Sequence, residues 1–176
     1  MRTIYTVGHS NHPLEDFLAL IEAHGVRRLA DIRRFPASRR NPHFGGEALA
    51  RSLEERGIAY RHFPGLGGRR RGAPDSPHRA WEVAAFRAYA DHMDTGEFRD
   101  ELAELERWAN DEPAAVLCAE ATHYRCHRRL TSDALLRDGF RVLHIASRSR
   151  VIEHALPAFA RLEGSRIIYD GGTLSL

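Results

Sequence analysis

Apolar residues along this chain recur alternately at strand spacing and at helix spacing, and the alternation predicts strands and helices in turn. Thr3 to Val7 is a short β-branched and aromatic run ended by Gly8. Pro13 then opens "LEDFLALIEAHG", where Leu14, Phe17, Leu18 and Ile21 keep helical spacing until Gly25 stops the helix. A second strand is predicted over Arg28 to Arg33, an irregular loop in "RFPASRRNPHFGG", and a helix from about Glu47 to Arg56 with Leu49 and Leu53 inward. A third strand covers Ile58 to Phe63. The stretch "PGLGGRRRGAPDSPH" after it has no apolar period, and a loop of that length in a compact domain is usually functional or mobile. Arg79 to Asn110 reads as two helices broken at Gly96. "AAVLCA" is a fourth, fully apolar strand, "HYRCHRRLTSDALLRDG" holds a helix ending at Gly139, and "FRVLHIA" is a fifth strand. A short helix from about Arg150 to Leu162 and a last strand, "RIIYD", are expected to complete the chain.

Strands alternating with helices predict an α/β fold: a three-layer, Rossmann-like arrangement with a mostly parallel sheet and helices on both faces. The length of 176 residues suits one domain spanning 1–176. No segment reaches the apolar length of a membrane span, and "MRTIYTVGHS" lacks the apolar run of a signal peptide, so a cytoplasmic protein without membrane contact is expected. Two cysteines make no disulfide framework, and both are expected to be reduced thiols. The pattern leaves the oligomeric state open.

Charge changes the picture locally rather than globally. The formal net charge is only +2, yet all 26 cationic residues are arginine, giving a surface rich in forked donors suited to phosphate and carboxylate. In an open α/β sheet, ligands bind beyond the carboxyl ends of the strands. Those ends carry Gly8, His9, Ser10 and Asn11; Asp31, Arg33 and Ser38; Pro64, Leu66, Gly67 and Gly68; and Cys118 and Glu120. Each also has a structural reading: Ser10 or Asn11 as a helix cap, Asp31 as partner of a neighbouring arginine. The glycines of "GLGG" match neither a dinucleotide fingerprint nor a Walker A loop, and no cofactor is expected.

The stretch "VLCAEATHYRCHRRL" concentrates the candidate chemistry. Cys118, Cys126 and His127, with Glu120 as a fourth group, offer metal-ligand types, but the cysteines are not in a C-x-x-C pair. Cys126 is expected in the first turn of a helix, on one stripe with Leu130 and Ala134, where a core thiol explains it as well. No structural metal is expected. Arg128 and Arg129 stand near a helix N-terminus, where a cation is unfavourable unless something negative lies close, and this favours an anion-binding pocket.

Taken together, "TVGHS", "DIRRFPAS", "LGG" and "CAEATHYRCHRR" resemble the domain of unknown function 488 family nearly end to end. The resemblance implies a small α/β domain with its motif residues gathered at one site. It carries onto His9, Ser10, Asp31, Arg33, Pro36, Ser38, Leu66, Gly67, Gly68, Cys118, Glu120, Cys126, His127 and Arg128, and it implies no particular reaction.

The leading expectation is an enzyme that cleaves a glycosidic or phosphoester bond of a nucleotide or nucleic acid. Asp31 and Glu120 would serve as base and acid and His9 as a proton-transfer or hydrogen-bonding group. Ser10, Arg33, Ser38, Gly67, Gly68, Cys118, Cys126, His127, Arg128 and Arg129 would bind substrate or phosphate. The loops "GGRRRGAP" and "SRRNPHF" add arginines with an interleaved aromatic, as a backbone-tracking surface would. Two other classes stay open: a non-catalytic module that binds nucleic acid or a phosphorylated small molecule, and a thiol- or metal-dependent protein built on Cys118, Cys126 and His127.

Overall fold

A computed structural model describes residues 2–171. Six strands form the main sheet in the order β3 (Ala59–His62), β2 (Arg28–Asp31), β4 (Ala114–Cys118), β1 (Arg2–Gly8), β5 (Phe140–Ser147), β6 (Arg150–Glu153). All neighbours are parallel except β5 and β6, so the sheet is mostly parallel, as the alternating pattern predicted. Helices α1 (Leu14–Glu22) and α2 (Gly46–Glu54) cover one face, and α3 (Ala84–Met93), α4 (Gly96–Trp108) and α5 (Arg128–Arg137) the other. This is a three-layer, Rossmann-like fold. None of the described helices is long and apolar enough to cross a membrane.

Strand β4 shows why the layers form. Ala114, Val116 and Cys118 pack under α3, α4 and α5, while Ala115 and Leu117 pack under α1 and α2. A strand buried on both faces must be apolar at every position, as "AAVLC" is, and each fully buried Val or Leu contributes about 1.5–3 kcal/mol. Helix α4 begins where Gly96 suggested a break, with the Thr95 hydroxyl accepting the amide of Phe98 at 3.2 Å.

One expectation near the C-terminal end is overturned. The segment predicted as a helix from Arg150 to Leu162 contains β6, an irregular stretch through Pro157, and β7 (Ala160–Glu163). The turn after Ser147 folds β6 back on β5, and proline, without an amide hydrogen, cannot sit inside a helix. The last predicted strand is present as β8 (Arg166–Tyr169), which pairs with β7 in a separate hairpin.

A buried polar chain ties this region to the core. Thr6 donates to Nδ1 of His144 (2.7 Å), His144 Nε2 to Nδ1 of His154 (3.0 Å), and His154 Nε2 to Asp133 (2.7 Å), which also accepts the Tyr169 hydroxyl (2.7 Å). Every donor finds an acceptor when His144 is neutral. Burial holds the pKa of His144 down to about 2, with His123 and His154 acting in the same direction. In the unfolded chain this residue takes up its proton near its ordinary value of 6.5, so its contribution to stability is complete above that pH and is lost as the pH falls below it. We expect it to cost about 1.4 kcal/mol per pH unit below that point. Urea unfolding at pH 7 and at pH 5 should therefore show a smaller acid loss in His144→Asn than in the native chain; equal losses would remove this residue from the account.

Candidate functional site

Parallel pairing sets Asp31 beside Leu117, so the ends of β2 and β4 share one edge of the sheet, and Glu120 follows β4 at that edge. The chain can turn there because Gly8, at the end of β1, has no side chain: a Cβ would overlap the carbonyl oxygen of Glu120. A cavity of about 440 Å³ opens at this edge. Of the sequence candidates, His9, Arg33, Ser38, Gly68, Cys118, Glu120, Cys126 and His127 line it.

The two carboxylates have different environments. Asp31 is fully buried beneath the cavity and absent from its wall. One of its oxygens accepts the Arg33 amide (3.0 Å) and Nε (2.9 Å), and the other accepts Nη2 (2.6 Å) and the Tyr60 hydroxyl (2.7 Å). With its lone pairs so occupied it has no capacity to take a proton from substrate. The expectation of Asp31 as catalytic partner of Glu120 thus gives way to that of an anchor for Arg33. Glu120, by contrast, is exposed on the cavity wall, and its carboxylate makes no hydrogen bond or ion pair among the described residues.

Arg33 joins these layers. Its Nη1 donates to Phe44 oxygen (2.8 Å) and meets Nε2 of His9 (3.2 Å), so at least four of its five N–H donors are engaged. Burial opposes its charge, and the hydrogen bonds and negative charge of Asp31 overcome that, raising its pKa above the ordinary value. His9 donates Nδ1–H to the Ser10 carbonyl (2.8 Å), accepts from Arg33 and stacks on Phe44 at 4.3 Å. Burial lowers its pKa, so it is a neutral ring with both nitrogens engaged. That geometry makes it a support for Arg33 rather than a proton shuttle.

The second half of the site is sulfur-rich. Cys126 lies just ahead of α5 in extended backbone, not in the first helical turn, and its side chain turns toward Cys118. A single-turn helix over His123–Arg125 delays α5 and makes this turn possible. Both thiols are free and buried. The Cys126 thiol donating to Cys118, with His127 and Arg128 nearby, holds Cys118 well below the usual thiol range against the effect of burial. The same hydrogen bond, together with burial, pushes Cys126 well above it. The two sulfurs and the imidazole thus form one interacting group at the cavity.

Several sequence candidates lie outside the cavity wall. Arg128 is buried behind it, donating Nη2 to the carbonyls of Glu120 (3.2 Å) and Ala121 (3.3 Å), while Nε and Nη1 have no partner among the described residues. Burial lowers its pKa, and the nearest opposing charges are those of Cys126, Cys118 and Glu120. Arg129 points away, over the ring of Trp81 at 5.0 Å. Ser10 and Gly67 do not line the cavity; Gly67 packs so closely on Arg34 that a Cβ would approach its Cα to 2.6 Å. Arg69, from the arginine-rich loop singled out in the sequence, also lines the cavity, whereas sequence reasoning missed Arg34, Phe35, Phe86, Tyr89 and Arg125 as wall residues. The signal for Phe35 was present: a large aromatic beside proline in a polar loop, here 63% exposed with the Arg34 guanidinium 5.4 Å from its ring. Phe44, the aromatic interleaved in "SRRNPHF", is instead fully buried.

A family model described as domain of unknown function DUF488 matches residues 13–135. The chain belongs to the DUF488 family. No curated protein and no solved structure matches it significantly. The matched span of this DUF488 protein runs from the start of α1 into α5 and includes Asp31, Arg33, Cys118, Glu120, Cys126 and His127.

Breaking a buried ion pair from one side leaves an uncompensated charge, which costs about 3–5 kcal/mol. Asp31→Asn should therefore lower stability by an amount in that range in urea unfolding. Tyr60→Phe, which removes one hydrogen bond to the same carboxylate, should cost only about 1 kcal/mol. Equal small losses for both would show that Asp31 does not anchor Arg33.

Proposed function

We propose that this DUF488 protein is an enzyme acting on a nucleotide or nucleic-acid strand, cleaving a glycosidic or phosphoester bond of a ligand seated in the cavity at the sheet edge. The observation that carries the proposal is the make-up of the wall: Arg33, Arg34, Arg69 and Arg125 face the single carboxylate of Glu120, between the aromatic rings of Phe35, Phe86 and Tyr89. Arg33 is neutralised by Asp31, and the remaining three arginines have no ion-pair partner among the described residues. A concave site of this size that combines unpaired guanidinium groups with aromatic faces suits a ligand with both an anionic and a planar part.

In this reading the three unpaired arginines hold phosphate, and the aromatic faces take a base. Glu120 is the general base that accepts a proton from attacking water, and its partnerless carboxylate is the only one positioned on the wall to do so. Asp31 and His9 act through Arg33. A second concavity of about 930 Å³, lined by Arg34, Arg69, Arg70 and Arg71, shares Arg34 and Arg69 with the first. That continuity favours an extended strand over a free nucleotide. Arg70 is the exception in the run "RRR", because it turns inward to the carbonyls of Gly67 (2.9 Å) and Pro64 (2.8 Å) and to Glu97 (3.2 Å).

Fluorescence anisotropy with a short single-stranded oligonucleotide should show binding that weakens steeply with salt. Each lost phosphate contact should reduce the slope of log K against log salt by about 0.7. Combined Arg34→Ala, Arg69→Ala and Arg71→Ala replacement should flatten that slope, whereas Glu120→Gln should keep binding and lose turnover. Absence of oligonucleotide and nucleotide binding at low salt would overturn the reading.

A further inference from the structure

The thiols and the imidazole beside the cavity form a group that the reaction proposed above does not use. Cys118 Sγ, Cys126 Sγ and His127 Nδ1 all lie within 4.8 Å of one another, with the nitrogen 3.9 Å from the first sulfur and 3.8 Å from the second. In tetrahedral zinc, with Zn–S near 2.3 Å and Zn–N near 2.0–2.1 Å, a sulfur and a nitrogen ligand stand about 3.6 Å apart. The nitrogen is therefore within a few tenths of an ångström of the spacing a single ion requires to each sulfur.

Three further observations point to a ligand at this place. Nε2 of His127 donates to the carbonyl of Ile32 (3.3 Å), which leaves Nδ1 as the lone-pair nitrogen and aims it at both sulfurs. A backbone carbonyl on the far nitrogen is the usual outer support of a metal-bound histidine. The amide of Arg128 donates to Cys126 Sγ (3.4 Å), the kind of outer hydrogen bond that orients a ligating group. Gly68 stands over the group, and a Cβ there would come to 2.9 Å from the same Nδ1, so the glycine leaves the nitrogen uncovered.

We propose that Cys118, Cys126 and His127 bind a zinc ion through two thiolates and Nδ1, with the fourth coordination position open to the cavity. Two sulfurs and one imidazole select a borderline-soft cation over magnesium or calcium, and three protein ligands with an open position are the pattern of catalytic rather than structural zinc. Both sulfurs bind as thiolates, so binding displaces their protons to solvent. A water molecule on the fourth position would lose a proton near neutral pH, with Glu120 on the same wall as its acceptor. That last step rests on the function proposed above; the metal site does not.

Cobalt(II) is the test probe, because a tetrahedral thiolate site gives it intense near-ultraviolet charge-transfer bands and visible d–d bands. The reduced native chain, titrated with cobalt(II), should develop both to an endpoint of one ion per chain. Zinc should abolish them on addition and raise the thermal midpoint. Cys118→Ser and Cys126→Ser should each lose the charge-transfer signal, and Glu120→Gln should keep it. A reduced, folded native chain that shows no cobalt–thiolate band overturns the proposal, as does a band that survives Cys118→Ser unchanged. A cobalt band accompanied by no oligonucleotide binding would leave the metal site standing and remove the functional reading. Salt-dependent binding without a cobalt band would do the reverse.

Discussion

A charged guanidinium held at the end of a buried strand has to be matched, and the edge of this sheet is arranged around that requirement. Arg33 is 6% exposed, and Asp31, two residues earlier on the same strand end, supplies the opposing charge through its backbone-directed and side-chain-directed oxygens. Tyr60 from β3, His9 from the end of β1 and the carbonyl of Phe44 complete the ring of partners. Segments far apart in sequence are held in register by one ion pair. The same pair leaves Arg33 with little free capacity, so the anion-binding character of the cavity comes mostly from Arg34, Arg69 and Arg125 on the loops around it.

A division of labour follows between the two halves of the edge. The β2 side is electrostatically closed, since its cation and anion cancel. The β4 side is open: among the described residues two guanidinium nitrogens of buried Arg128 and the carboxylate of Glu120 have no partner, and two free thiols lie beside the cavity. Unsatisfied buried donors are costly in a structural core, and such departures from full pairing concentrate where a protein binds or reacts. The polar chain from Thr6 to Tyr169 is the contrasting case, in which each donor meets an acceptor and the role is to fasten β6 and β8 to the core.

Periodicity alone was enough for the layers, because a strand covered on both faces must be apolar throughout and a helix covered on one face must show a stripe. β4 and α1 were legible for that reason. The stretch 150–163 was not, since Val151 and Ile152 followed by Ala155, Leu156 and Phe159 fit a helical stripe as well as strand spacing, and only the fold-back onto β5 decided between them. Membership of the site was similarly legible at the strand ends, where parallel pairing forces neighbours together, and was lost for Phe35, Phe86 and Tyr89, whose segments approach the cavity through tertiary packing.

The sequence by itself determined the α/β class, the edge at which chemistry-bearing residues gather, and the family motifs that place Asp31, Arg33, Cys118 and Glu120 there. Tertiary structure alone decided what each does. Two carboxylates that look equivalent along the chain differ because one is enclosed by five donor contacts and the other faces open space. A cysteine on a buried strand and another that reads as a helical core residue converge with His127 because a short helical turn over His123–Arg125 delays α5 and redirects Cys126. Side-chain direction and solvation depend on what packs from other segments, and no local pattern encodes that.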